Sequence, residues 1–323
     1  MSVGRRLCSE VSRENGEVPT GTATPYDAYL VIEVPPPWKD DIARSANYPP
    51  GLWEALLGAF RSGVIDRSTG IMPDPEYSVR GKTRVLMLRR PEEPSDRFAR
   101  FNRSEYLLPD EDLTHFVESL ANGDSGRFDA HLQPTGHVRD VLVCTHGAND
   151  ACCGKFGYPV YERLRGMARD TKGLRVWRSS HLGGHRFAAT MLDLPESRCW
   201  GHLDPDTAER VLRRDAPAAD LAPNYRGWSG LWTGPEQAAE RAMLAREGWR
   251  WTGYEKRVTS VKATGTSGES ILVRIEYVSP DGDVSGTYEA EVEPAPSVMT
   301  LTKTGSEPLK EVPQYRVTRL TES

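Results

Sequence analysis

Over the first two thirds of the chain, short dense apolar runs alternate with segments whose apolar residues recur at helical spacing. Tyr26-Asp27-Ala28-Tyr29-Leu30-Val31-Ile32-Glu33-Val34 reads as a buried strand stopped by Pro35, Pro36 and Pro37. Residues 51–60 follow as a helix with Leu52, Leu56 and Phe60 on one face. A strand at Thr83–Leu88, a second near Phe98–Asn102 and a helix over Glu111–Leu120 complete a βαββα unit.

A second unit opens after Gly136. The strand Val138–Val143 leads into a loop beginning at Cys144, and Val160, Leu164 and Met167 share one face of a helix over Pro159–Ala168. Then come the strand Leu174–Trp177, a loop containing His181, a short strand near Ala188–Leu192, and a helix over Pro205–Arg213 behind Asp204 as N-cap. The order resembles that of the first unit, without a sequence repeat. Ala216–Trp232, rich in Pro, Gly and Asn, reads as a linker or irregular connection. A helix over Pro235–Arg246 and antiparallel strands at 270–278 and 286–292, joined by a Ser-Pro-Asp-Gly turn, make a small α+β end. The expected class is α/β, with halves at 1–134 and 135–215 and a linker, helix and β-rich segment over 216–323.

Composition narrows the function classes. With 38% hydrophobic and 27% charged residues, the 323-residue chain has ample material for a core, and no apolar run approaches the roughly 18–20 residues that a membrane helix needs. Arg5 and Arg6 are followed by Cys8, Ser9 and Glu10, where a signal peptide places its apolar region, so the expected location is cytoplasmic. The net charge of −5 is dispersed, which gives no footprint for nucleic acid. Five cysteines at 8, 144, 152, 153 and 199 form no secreted disulfide framework, and three of them fall within ten residues. In a reducing compartment such clustering points to metal binding or thiol chemistry.

The chemistry concentrates in two loops that follow strands. The first, Cys144-Thr-His-Gly-Ala-Asn-Asp-Ala-Cys152-Cys153-Gly-Lys-Phe-Gly157, precedes a helix; the second is Ser179-Ser180-His181-Leu-Gly-Gly-His185-Arg-Phe-Ala188. Loops at the same ends of parallel strands converge. Thiolate and imidazole are donors for zinc and iron alike, and the glycines at 147, 154, 157, 183 and 184 permit tight turns. An isolated cysteine is usually a buried hydrophobe and an isolated histidine a structural residue. It is the joint placement of Cys144, Cys153, His181 and His185 that makes ligation the reading to test. Spacing leaves the metal open: the eight residues between Cys144 and Cys153 exceed the usual zinc spacing, Cys-x-x-Cys is absent, and vicinal Cys152-Cys153 keeps thiol exchange in play.

Cys-Thr-His-Gly at 144–147, Asp150 with Cys153-Gly154 and Gly157, and Ser180-His181-Leu-Gly-Gly-His185 with Phe187-Ala188-Ala189 resemble the sucrase/ferredoxin-like family. The Tyr29–Glu33 strand followed by Pro37-Trp38 fits the same family, and the resemblance spans about residues 20–215. It implies two thioredoxin-like halves, the second holding a 2Fe-2S cluster on Cys144, Cys153, His181 and His185. His146 and Asp150 are expected around the ligands, with Cys152 and Cys199 as spectators. The implied role is one-electron transfer with an unidentified redox partner protein, coupled to protons through the second ring nitrogen of a histidine, rather than an enzyme with its own substrate. A zinc-stabilised binding module and a thiol-disulfide oxidoreductase using Cys152 or Cys153 are the alternatives. Paired carboxylates for glycoside hydrolysis are not discernible. The oligomeric state and the role of the C-terminal segment stay open.

Overall fold

A computed structural model of the chain describes residues 6–92, 96–265 and 268–323; Arg5 lies outside them. A short helix α1 (Cys8–Glu14) precedes the first unit, which runs β1 (Ala28–Glu33), α2 (Leu52–Arg61), β2 (Arg67–Ile71), β3 (Lys82–Arg89), β4 (Asn102–Pro109) and α3 (Leu113–Asn122). The second unit runs β5 (Arg139–Cys144), α4 (Ala151–Arg169), β6 (Leu174–Ser179), β7 (Met191–Leu194), β8 (Arg198–Trp200) and α5 (Pro205–Arg213). Beyond it lie α6 (Ala218–Leu221), β9 (Tyr225–Trp228), α7 (Gly234–Glu247), β10 (Glu255–Gly265), β11 (Gly268–Val278), β12 (Ser285–Thr300) and β13 (Lys310–Glu322).

The class is α/β, with a nine-stranded mixed sheet ordered β4-β3-β1-β2-β6-β5-β7-β8-β9 and a separate antiparallel sheet β10-β11-β12-β13. In each unit the first two strands are parallel and joined by a helix, and the third runs antiparallel beside the first. This is the thioredoxin-like order, used twice. Among the described residues, no helix is long and apolar enough to cross a membrane.

Several elements differ from the sequence expectation. β2 and β8 turn βαββα into βαβββα. The sequence of β2, Arg-Ser-Thr-Gly-Ile, offers little apolar signal, and the segment is a strand because its backbone pairs in register with β1. Phe98 and Phe101 sit before β4 rather than in it, and pack as aromatic plugs against Trp228 and Tyr26. α4 begins at Ala151, eight residues before the expected start, because Asp150 caps it by accepting from the Cys152 amide; Pro159 lies inside the helix. The expected linker contains β9, whose Tyr225 and Trp228 are buried at the edge of the large sheet.

Period-two alternation in β1 and β5 sorts side chains between separate cores. Leu30 and Ile32 face α2 and α3, whereas Val141 and Val143 face α4, α5, α7 and the C-terminal sheet. Tyr29 and Val31 turn instead toward Leu142, Cys144 and Trp177 of the other unit. Units that share a core must face each other, and the sheet bends where they join. β2 and β6 pair at Ile71↔Ser179 alone. Arg103 of β4 nonetheless lies 2.7 Å from Asp140 of β5. Across the four intervening strands, a flat sheet would separate them by roughly 24 Å.

That contact belongs to a buried charge network. Asp140 accepts from Arg103, Arg175 (2.8 Å) and Trp177 Nε1 (2.8 Å), and Glu105 accepts from Arg84, Arg103 (2.6 Å) and Arg175 (2.7 Å). Both carboxylates are inaccessible to water. Burial alone would push the Asp140 carboxyl up, but Arg175, Arg103 and Trp177 outweigh it and hold it below its ordinary range. Replacing Asp140 by Asn should therefore cost about 3–5 kcal/mol by urea unfolding at neutral pH, because the guanidiniums are left buried without full compensation. A carboxyl held low in the folded state stabilises fully above its unfolded value of about 4, and that contribution fades as pH falls through the lower folded value. The Asp140→Asn protein should lack this part of the acid dependence.

Candidate metal centre

Alternation along β5 places Cys144 at the strand end on the face shared by the two units, and the chain then loops directly into α4. The first turn of α4 contains Cys152 and Cys153. Their side chains diverge: Cys153 lies beside Cys144, whereas the Cys152 sulfur lies 3.4 Å from Cys8 of α1. The vicinal pair is thus split between two partners.

The loop and helix are pressed together at Gly157. A Cβ there would lie 2.0 Å from the Cys144 carbonyl oxygen, so only glycine lets α4 pass this close to the strand end. The second loop leaves β6 beside the joint, where Ser180 Oγ bonds Thr69 Oγ1 (2.8 Å) and accepts from the Gly70 amide (2.9 Å). Gly183 and Gly184 both adopt left-handed φ, +85° and +71°, which turns the chain so that the His181 and His185 rings lie 5.1 Å apart. The Arg226 guanidinium holds this turn through the carbonyls of Gly183 and Thr22.

Of the four expected ligands, Cys144, Cys153 and His181 bring donor atoms within 4.8 Å of one another. His185 adjoins His181 but groups with Cys8 and Asp150, again within 4.8 Å. Asp150 accepts from the Thr304 amide (2.9 Å) and hydroxyl (2.6 Å) as well as from the Cys152 amide. His146 donates from Nε2 to the Lys39 carbonyl (2.6 Å). A carbonyl only accepts, so His185 likewise donates from Nε2 to the Thr302 carbonyl. The second ring nitrogen of His185, one of the two histidines expected to couple protons in this way, is therefore occupied by the protein.

These bonds leave particular atoms open. Nδ1 of His146, His181 and His185 is buried in each case and has no hydrogen-bond partner among the described residues. Burial lowers the pKa of His146 and His185, with the Lys39 and Thr302 carbonyls opposing it, which favours neutral rings with a free lone pair. Cys153 S–H donation stabilises a Cys144 thiolate against burial, aided by His181 and the His146 amide, and the Cys153 thiol is correspondingly pushed up. Two buried cysteine sulfurs beside His181, with His185 next to it and an unused Nδ1 on each ring, fit a metal or cluster bound through sulfur and nitrogen. The His185–Thr302 bond is the kind of contact that orients such a ligand from behind.

Cys8, Thr302 and Thr304 were not legible as site residues. Cys8 lies more than a hundred positions before the loops, and the threonines come from the β12–β13 connection, in a segment without a recognisable motif. Cys199 lies apart, 3.5 Å from Ser229 Oγ. A cavity of about 340 Å³ opens beside the centre, lined by His181, His146 and Ser180 on one side and Asp40, Asp41 and Trp53 on the other.

Residues 19–227 match the sucrase/ferredoxin-like family. No curated protein matches the chain. Among solved structures, a cysteine-to-serine variant of the thioredoxin-like 2Fe-2S ferredoxin from Aquifex aeolicus is similar over 24% of this chain and 85% of its own, at 10% identity and a TM-score of 0.22.

The tight passage at Gly157 is testable against another glycine of the same helix. Gly157→Ala should lose about 1–3 kcal/mol of stability by overpacking against the Cys144 carbonyl. Gly166 is exposed, and a Cβ at that position would meet nothing within 4 Å. Gly166→Ala should therefore gain about 0.5–1 kcal/mol from helix propensity. Thermal unfolding of the two variants checks both signs.

Proposed function

The chain belongs to the sucrase/ferredoxin-like family, and on that premise we propose that Cys144, Cys153, His181 and His185 hold a 2Fe-2S cluster and that the protein carries single electrons to or from a redox partner protein. The observation that carries this reading is the meeting of two buried thiols with His181, the His185 ring lying 5.1 Å from that of His181, and the buried Nδ1 of each ring having no hydrogen-bond partner among the described residues. When bound, such a cluster supplies one reversible electron. The protein's own part is to hold the donors ready. The Gly183–Gly184 turn brings the two rings to 5.1 Å from each other, and the Thr302 carbonyl selects the His185 tautomer with Nδ1 free. Neutral imidazoles in place of two thiolates leave the centre less negative, which favours the reduced state relative to an all-cysteine site. The cavity at His181 is the side from which a partner would approach.

A second reading has one observation in its favour. Cys144, Cys153 and His181 are compact enough for a single ion, so a zinc site that stabilises a binding module is the alternative. Thiol exchange between Cys152 and Cys153 is less well supported, since their sulfurs turn to different partners.

Metal and sulfide analysis separates these readings. Anaerobically purified protein should contain equimolar iron and acid-labile sulfide, absorb in the visible, and give an EPR signal on one-electron reduction. His181→Cys and His185→Cys should retain a cluster with shifted spectra and a potential lower by on the order of a hundred millivolts, because a thiolate replaces a neutral donor. Stoichiometric zinc without sulfide would overturn the cluster in favour of the binding module.

A further inference from the structure

Beside the proposed ligands, α1 delivers a second pair of sulfurs. Cys8 and Cys152 are both fully buried, with Sγ atoms 3.4 Å apart. We propose that Cys8 and Cys152 are a disulfide-forming pair, oxidised by exchange with a low-molecular-weight disulfide such as glutathione disulfide, and that the bond staples α1 to the first turn of α4.

The surroundings are unlike those of cysteines that merely fill a core. Thr304 Oγ1 lies 3.3 Å from the Cys152 sulfur and 3.4 Å from that of Cys8. The Ser9 amide donates to the Cys152 sulfur (3.4 Å), and both Asp150 oxygens lie 3.7 Å from the Cys8 sulfur. Forming the bond requires the sulfurs to close by roughly 1.4 Å, toward the usual 2.05 Å. Neither Cys144 nor Cys153 takes part, so the pair stands whichever metal the neighbouring centre holds.

Access follows from the cover. α1 has seven residues, and its N-cap, Leu7, makes no side-chain capping bond. Because Cys8 itself lies against Cys152, a local opening of α1 exposes both thiols together. The Cys152 sulfur attacks one sulfur of the small disulfide; the departing small thiol takes the Cys152 proton and a mixed disulfide remains. The Cys8 sulfur then attacks the Cys152 side of that mixed disulfide, and the second small thiol leaves with the Cys8 proton. Two electrons pass from the protein to the small disulfide.

The test uses protein purified anaerobically with its metal and equilibrated in glutathione buffers from reducing to oxidising, then acid-quenched, unfolded, alkylated and analysed by intact mass and peptide mapping. The expected result at the oxidising end is a mass lower by two hydrogens before alkylation, with the Cys8 and Cys152 peptides joined. The link should be lost in Cys8→Ser and Cys152→Ser and kept in Cys199→Ser. Five alkylated cysteines throughout, a link joining Cys144 to Cys153 instead, or glutathione retained on one cysteine without a crosslink would each overturn the proposal. Mapping of the wild-type protein decides the matter without any variant.

Discussion

Two carboxylates and three guanidiniums, nearly cut off from water, lie between the units of this protein. Glu105 and Asp140 come from strands far apart in the order of the sheet, and Arg84, Arg103 and Arg175 reach them from three strands. A buried ion network of this kind adds little net stability compared with a well-packed apolar core, but leaving it half-formed is costly. The sheet must therefore bend at the Ile71–Ser179 joint until all the partners meet. Asp140 is the second residue of the strand that ends in Cys144, and Trp177, which donates to it, lies two residues before the joint, on the strand that leads to His181. The alignment of the charges and the alignment of the proposed ligands are thus one geometric condition.

Much of this could be read along the chain. The dense runs at Tyr29–Ile32 and Val141–Val143 are strands, and the helices with clear apolar stripes, at Leu52–Phe60 and Pro205–Arg213, lie where the pattern puts them. Elements were missed where pairing or capping decides the structure in place of side-chain pattern. The Arg-Ser-Thr-Gly-Ile of β2 is polar where Ser68, Thr69 and Gly70 line the cavity, and β9 hides in a stretch where Pro223 and Gly230 flank it and Gly227 lies inside it. The early start of α4 depends on a single side-chain bond from Asp150, set against the discouragement of Gly154, Gly157 and Pro159.

The two loops bearing Cys144, Cys153, His181 and His185 were legible because short spacing and strand ends are local properties. Their surroundings were not. Cys8 arrives from α1, and Thr302 and Thr304 arrive from the connection between β12 and β13, contacts that no local spacing encodes. The C-terminal segment, which carries no motif of its own, thereby acquires a place. Its sheet packs Val273, Ile275 and Tyr288 into the core that holds α4, and its longest hairpin reaches back to the loops.

That reach has a bearing on the order of events during synthesis. Residues 144–185 leave the ribosome well before residues 302–304, so the loops are made before the groups that bond His185 and Asp150 exist. The β12–β13 connection is the last wall of the site to be synthesised. A chain cut short before residue 302 would keep every proposed ligand and lose the carbonyl and hydroxyl that hold His185 and Asp150.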